Sequence, residues 1–93
     1  MEKIKFDFNS RTAIVTGGAQ GFGFDITKRF LKSGANVIMW DNDPKAIDLA
    51  IKEIDSPNLS SHVVDVSNYE EVDKIVKEIT KNSNIDILIN NAG

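Results

Sequence analysis

The residues best placed to do chemistry lie at 12–23, Thr-Ala-Ile-Val-Thr-Gly-Gly-Ala-Gln-Gly-Phe-Gly, with an acid at Asp41, 18 residues after Gly23. The chemistry that suits them is anion binding rather than bond breaking. A strand that stops at Gly17 and a helix that starts near Gly23 leave the unpaired N–H groups of the helix N-terminus facing whatever sits above the turn. The helix dipole favours negative charge there. Glycine is needed because a Cβ would block either the turn or the approach of a phosphate to the backbone. A carboxylate at 41 can accept hydrogen bonds from the two hydroxyls of a ribose and would repel a 2′-phosphate. Without the glycine turn, Asp41-Asn42-Asp43 would read equally well as a polar loop before a helix cap; the turn and the spacing favour the ribose reading.

The elements that must hold these residues follow from periodicity. Residues 12–16 and 36–40 are short apolar, β-branched runs of the kind buried on both faces of a sheet. Phe22, Ile26 and Phe30 form an i, i+4, i+8 stripe that predicts a first helix ending at Ser33-Gly34, with Gly34 as a left-handed cap. Asp43 and Pro44 fit the N-cap and first position of a second helix, whose apolar face is Ile47, Ala50, Ile51 and Ile54. Ser56-Pro57-Asn58 breaks it, and 59–64 predicts a third strand. Ser67 and Glu70 suit a capping box for a third helix with the stripe Val72, Ile75, Val76 and Ile79. Asn82-Ser83-Asn84 is a turn, and 85–89 a fourth strand. Strand–helix alternation with connections this short predicts an α/β fold, a Rossmann-like doubly wound parallel sheet in the order βαβαβαβ. Residues 1–11 read as a lead-in packed on the sheet edge.

The spacing Thr16-Gly17-x-x-x-Gly21-x-Gly23 resembles the glycine turn of the short-chain dehydrogenase/reductase family. Asp41, Asp65-Val66 and Asn90-Asn91-Ala92-Gly93 repeat that family's later landmarks in order, so the resemblance spans residues 11–93. It implies a partial sheet of strand order 3-2-1-4. It also implies NAD in preference to NADP, with Gly17, Gln20, Gly21, Phe22 and Gly23 around the phosphates and Asp41 on the adenosine ribose. Asp65 and Val66 would meet the adenine, although the same pair reads equally as a lead into the third helix. Asn91, Ala92 and Gly93 would border the adenosine side and the nicotinamide ribose. One departure is Asp25, where the family usually carries a small residue; it adds negative charge near the expected pyrophosphate.

The resemblance implies an oxidoreductase that moves hydride between the nicotinamide and a carbonyl or hydroxyl carbon, with a Ser and a Tyr-x-x-x-Lys as its chemistry. Neither lies in residues 1–93, which therefore read as the N-terminal dinucleotide-binding part of a larger Rossmann domain, without catalytic residues. The single tyrosine, Tyr69, precedes Glu-Glu-Val-Asp and reads as a surface or packing residue. His62 stands alone in the third strand, without metal-ligand spacing. Trp40 and the five phenylalanines read as core. The rival from another class is a non-catalytic nucleotide-binding module or a remnant reading frame.

Composition narrows the partners. A formal charge of -3 without a basic run gives no support to nucleic acid or anionic membrane as partner. The absence of cysteine excludes disulfides and thiolate catalysis and suits a reducing cytoplasm. The charged start lacks the apolar core of a signal peptide, and no stretch approaches the ~20 apolar residues of a membrane span. By the resemblance, the full-length protein would be a homo-oligomer.

Overall fold

The computed structural model describes residues 10–81 and 83–91. The lead-in before Ser10, and Asn82, Ala92 and Gly93, lie outside the described residues. The first apolar run is strand β1 (Thr12–Thr16), buried at all five positions because the sheet is covered on both faces. It is followed by α1 (Gly21–Lys32), β2 (Asn36–Asp41), α2 (Pro44–Ile54), β3 (Leu59–Val63), α3 (Tyr69–Thr80) and β4 (Ile87–Asn90). The four strands are parallel in the order β3-β2-β1-β4. The alternating α/β order and the strand order both match the sequence expectation.

Because side chains alternate along a strand, each face has its own core. Val15, Val37 and Met39 meet Ile47 and Ala50 of α2 on one face, with Phe24, Ile26, Phe30 and Leu31 of α1 packed against them. Ile14, Ile38, Trp40 and Val64 line the other face, under Val72, Ile75, Val76 and Ile79 of α3. No residue of α3 is fully buried. The sheet turns its better-covered side to α1 and α2, and only α3 covers the other among the described residues.

Helix ends follow local chemistry. Asp43 caps α2 as its sequence position predicts, accepting from the N–H groups of Lys45 (3.0 Å) and Ala46 (3.3 Å), with Pro44 at the first position. Gly34 takes φ 94° after α1. The predicted Ser67 cap of α3 is displaced by one residue. Asp65 Oδ1 accepts from both the Ser67 hydroxyl (2.6 Å) and the Ser67 N–H (3.0 Å). Asn68 then becomes the cap, accepting from Glu71 N–H at 3.2 Å.

Other differences have equally local causes. β4 begins at Ile87 rather than 85, because Asp86 is held by side-chain contacts. Its Oδ2 accepts from Thr12 N–H at 2.9 Å and its Oδ1 lies 3.5 Å from the Arg11 guanidinium. Regular pairing starts at Ala13 with Ile87 and runs to Thr16 with Asn90. β3 stops at Val63, one residue early, although Val64 N–H still donates to the Asp41 carbonyl at 2.9 Å. Phe22 is not core: it is 82% exposed, while Phe24 turns inward. Starting the helix at Gly21 puts Gly23 and Thr27 on the buried line, where the helix approaches the sheet most closely. Of the second helix's predicted face, Ile47 and Ala50 are buried, whereas Ile51 keeps 39% of its surface exposed.

Candidate dinucleotide site

β1 delivers the chain to the C-terminal edge of the sheet, where a turn of three residues and Gln20 lead into α1. Gly17 and Gly21 both sit at positive φ (63° and 53°), the region an L side chain resists. Gly23 is required for a different reason. A Cβ there would run into the Gly17 carbonyl and come within 2.9 Å of Asn91 Nδ2. Since neither backbone oxygen nor helix can yield cheaply, Gly23→Ala is expected to destabilise at or beyond the ~3 kcal/mol upper end of ordinary overpacking. Against a typical stability of about 5–15 kcal/mol that is a large loss, read as a drop in urea midpoint. An unchanged midpoint would show that α1 can slide away from the turn.

The turn is braced from three sides. Thr27 Oγ1, fully buried on α1, donates to the Gly18 carbonyl at 3.2 Å. Gly18 N–H donates to the Trp40 carbonyl at 3.2 Å, tying the turn to β2. Thr16 Oγ1 accepts from Asn91 N–H at 2.9 Å and lies 3.2 Å from Asn90 Oδ1 and 3.3 Å from the Ile89 carbonyl, closing β1 against β4. Thr16 and Asn91 belong to motifs singled out in the sequence, but the contacts themselves are not legible there. A threonine within a strand is indistinguishable there from β-branched filling, and its partner is 75 residues away.

The intrahelical bonds of α1 begin with Phe24 N–H donating to the Gln20 carbonyl at 3.2 Å. The N–H groups of Gly21, Phe22 and Gly23 therefore have no acceptor within the helix, and they form the positive end of the helix dipole. Beside them stands Asp41, the last residue of β2 rather than the first after it, and only 5% exposed. Its Oδ2 accepts from Ala19 N–H at 3.3 Å. Its Oδ1 accepts from Asp43 N–H at 3.1 Å and from Gln20 Nε2 at 3.3 Å.

Together these elements form a cleft of about 290 Å³ lined by Gly17, Gln20, Trp40, Asp41, Asn42, Val64, Val66 and Asn91. Five sequence-predicted residues, Gly17, Gln20, Asp41, Val66 and Asn91, thus share one wall. Gly21 and Gly23 stand behind them in the turn. Phe22 points to solvent away from the lining, and Ala92 and Gly93 lie outside the described residues. Asp65 is fully exposed beside Val66, and the Ser67 hydroxyl, then the Ser67 N–H, hold its carboxyl below the ordinary value of 3.8. Trp40, Asn42 and Val64 are lining residues that pattern reading assigned to core or loop. Asp25 pairs with Lys28 on the outer surface of α1 (3.7 Å) and takes no part in the cleft. Tyr69, 86% exposed at the start of α3, also stands apart from it. Among the described residues no group of three His, Asp or Glu side chains could hold a metal ion, and no helix is long and apolar enough to cross a membrane.

Residues 11–93 match the family model described as short chain dehydrogenase. The chain belongs to that family. It is 40% identical over 88 residues to the 3-oxoacyl-[acyl-carrier-protein] reductase FabG of Chlamydia trachomatis, covering 90% of this chain and 36% of the reductase. A short chain dehydrogenase from Bacillus anthracis superposes with a TM-score of 0.86 at 32% identity, covering 92% of this chain and 36% of that one. The Pseudomonas aeruginosa RhlG structure, an active-site complex with NADP, superposes with a TM-score of 0.83 at 29% identity, over 95% and 36% respectively. The chain thus spans about a third of the length of these relatives. The family binds nicotinamide cofactors.

Proposed function

We propose that residues 1–93 are the N-terminal cofactor-binding part of a short-chain oxidoreductase that takes NAD(H) in preference to NADP(H). The observation that carries this reading is the convergence on one cleft of Gly17 of the glycine turn, Gln20 at the N-cap of α1 and the carboxylate of Asp41. The residues present fit the group. Gly17, Gly21 and Gly23 leave the turn's backbone open to a pyrophosphate, and a side chain added at Gly23 would close the cradle onto Gly17. The cleft volume, just below the roughly 300–1,000 Å³ typical of small-molecule pockets, suits an adenosine half better than a whole dinucleotide.

In this reading the N–H groups of Gly21, Phe22 and Gly23 hold the pyrophosphate and Asp41 takes the ribose hydroxyls. Val66, with Val64 beside it, offers the apolar wall for an adenine. Asp65 keeps one carboxylate oxygen clear of Ser67 for a base amino group, and Asn91, which lines the cleft, borders the adenosine side, with Ala92 and Gly93 assigned by the resemblance to continue that border to the nicotinamide ribose. The cofactor, when bound, supplies or accepts the hydride; the complete protein would exchange it with a carbonyl or hydroxyl carbon, and the cysteine-free sequence suits a reducing cytoplasm.

Titrating NAD into ¹⁵N-labelled chain tests the site directly. The expected shifts cluster at Gly17, Gln20, Asp41, Val66 and Asn91, and the fluorescence of Trp40, the single tryptophan, changes with the same midpoint. Shifts confined to the outer faces of α1 and α2 would sink the proposal.

A further inference from the structure

The carboxylate that should receive a ribose is already engaged by the chain itself. A carboxylate oxygen has two lone-pair directions. On Asp41, Oδ2 uses one of them for Ala19 N–H, while Oδ1 uses both, for Asp43 N–H and Gln20 Nε2. A ribose diol that places one hydroxyl on each oxygen finds an acceptor on Oδ2 and none on Oδ1. Of the donors on Oδ1, the Asp43 N–H belongs to the residue that caps α2 and cannot leave without unwinding that helix start. The Gln20 amide is on an exposed, rotatable side chain.

Gln20 also occupies the N-cap position of α1 in extended backbone (φ -140°, ψ 148°), yet its side chain makes no capping bond. It reaches across the cleft to β2 instead. The amide N–H therefore stands where a ribose hydroxyl would donate, on the border between the phosphate-binding turn and the ribose acceptor. We infer that Gln20 is a displaceable latch, an internal stand-in for a ribose hydroxyl that must swing off Asp41 before an adenosine ribose can engage both carboxylate oxygens. The inference rests on the nucleotide reading of the cleft. It predicts that Gln20 opposes binding, the reverse of what a residue lining a ligand site ordinarily does.

The test compares wild-type chain with Gln20→Leu and Gln20→Ala by calorimetric titration with ADP, and again with 2′,3′-dideoxy-ADP. Removing one long hydrogen bond (3.3 Å) from an exposed side chain that competes with ligand should tighten ADP binding by about threefold to tenfold. The gain should vanish with the dideoxy compound, which has no hydroxyl to place on Oδ1. Weaker or unchanged ADP binding by both variants, or an equal gain with the dideoxy compound, would overturn the latch. If ADP binds none of the proteins, the nucleotide reading itself fails. The latch falls with it as a gate on ribose binding, and only the Gln20–Asp41 contact is then decided, by ligand-free spectra. A shift of the Gln20 side-chain amide resonances on Asp41→Asn supports the contact, and unmoved resonances refute it.

Discussion

NADP(H) is expected to bind the chain at least about thirtyfold more weakly than NAD(H). A 2′-phosphate would sit on the hydroxyl that Asp41 is placed to accept, which brings two negative groups to about 4 Å. At an effective dielectric near 20 the repulsion is roughly 4 kcal/mol per pair of unit charges. The N–H groups of Ala19 and Asp43 and the Gln20 amide offset part of the carboxylate's charge, so half of that figure is the safer expectation, about thirtyfold in affinity. Among the described residues no arginine or lysine lines the cleft to compensate the extra phosphate. The RhlG structure, solved with NADP, has the same fold, so any discrimination here is expected from side chains such as Asp41. Calorimetric titration of both cofactors, with Asp41→Ser as the comparison, checks it. The serine variant should lose most of the preference, and equal affinities in wild-type chain would take Asp41 off the ribose.

What could be read in the sequence was whatever is decided within a few residues. The run Thr12–Thr16 has no polar side chain larger than threonine and is bounded by glycine, so it is a buried strand whichever neighbours it has. Asp43 and Pro44 determine the start of α2 by themselves. The strand order came from the resemblance, because alternating strands and helices do not say which strand lies next to β1.

The misplaced details share the opposite property, a contest between local options that only geometry resolves. Ser67 and Asn68 are both good caps, and Asp65 decided between them by capturing the Ser67 hydroxyl. Phe22 fitted a helical stripe, but the close approach of α1 to the sheet selects Gly23 and Thr27 for the inner line and turns Phe22 outward. The same holds in the cleft. Asp41 was legible from its spacing, whereas the hold of Gln20 on it joins residues 21 apart and depends on how the turn is aimed. Trp40 was read as core and is core, 3% exposed, yet it also floors the cleft, because a large ring at a strand end can do both.

Purified chain of 93 residues is expected to show no NAD(H)-linked turnover above background with any panel of alcohols or carbonyls, even where the cofactor binds. Hydride transfer to a carbonyl needs a proton delivered to the developing alkoxide, and general acid–base assistance of this kind is typically worth about 10²–10⁴-fold. Positioning the substrate against the nicotinamide adds more. The groups lining the cleft cannot supply the proton. Asp41 is committed to Ala19, Gln20 and Asp43, and Gln20, Asn42 and Asn91 do not titrate. Tyr69 has the right chemistry in the wrong place, almost fully exposed at the start of α3 and followed by Glu70 and Glu71, with no lysine four residues on to lower its proton affinity. His62 lies in β3 with Nδ1 buried and unpartnered, off the cleft lining. Tyr69→Phe should therefore change neither cofactor binding nor the blank rate. Reproducible turnover that disappears in Tyr69→Phe would mean that α3 brings its first residue over the nicotinamide, a rearrangement at odds with the packing of Val72, Ile75 and Val76 against Ile38 and Trp40.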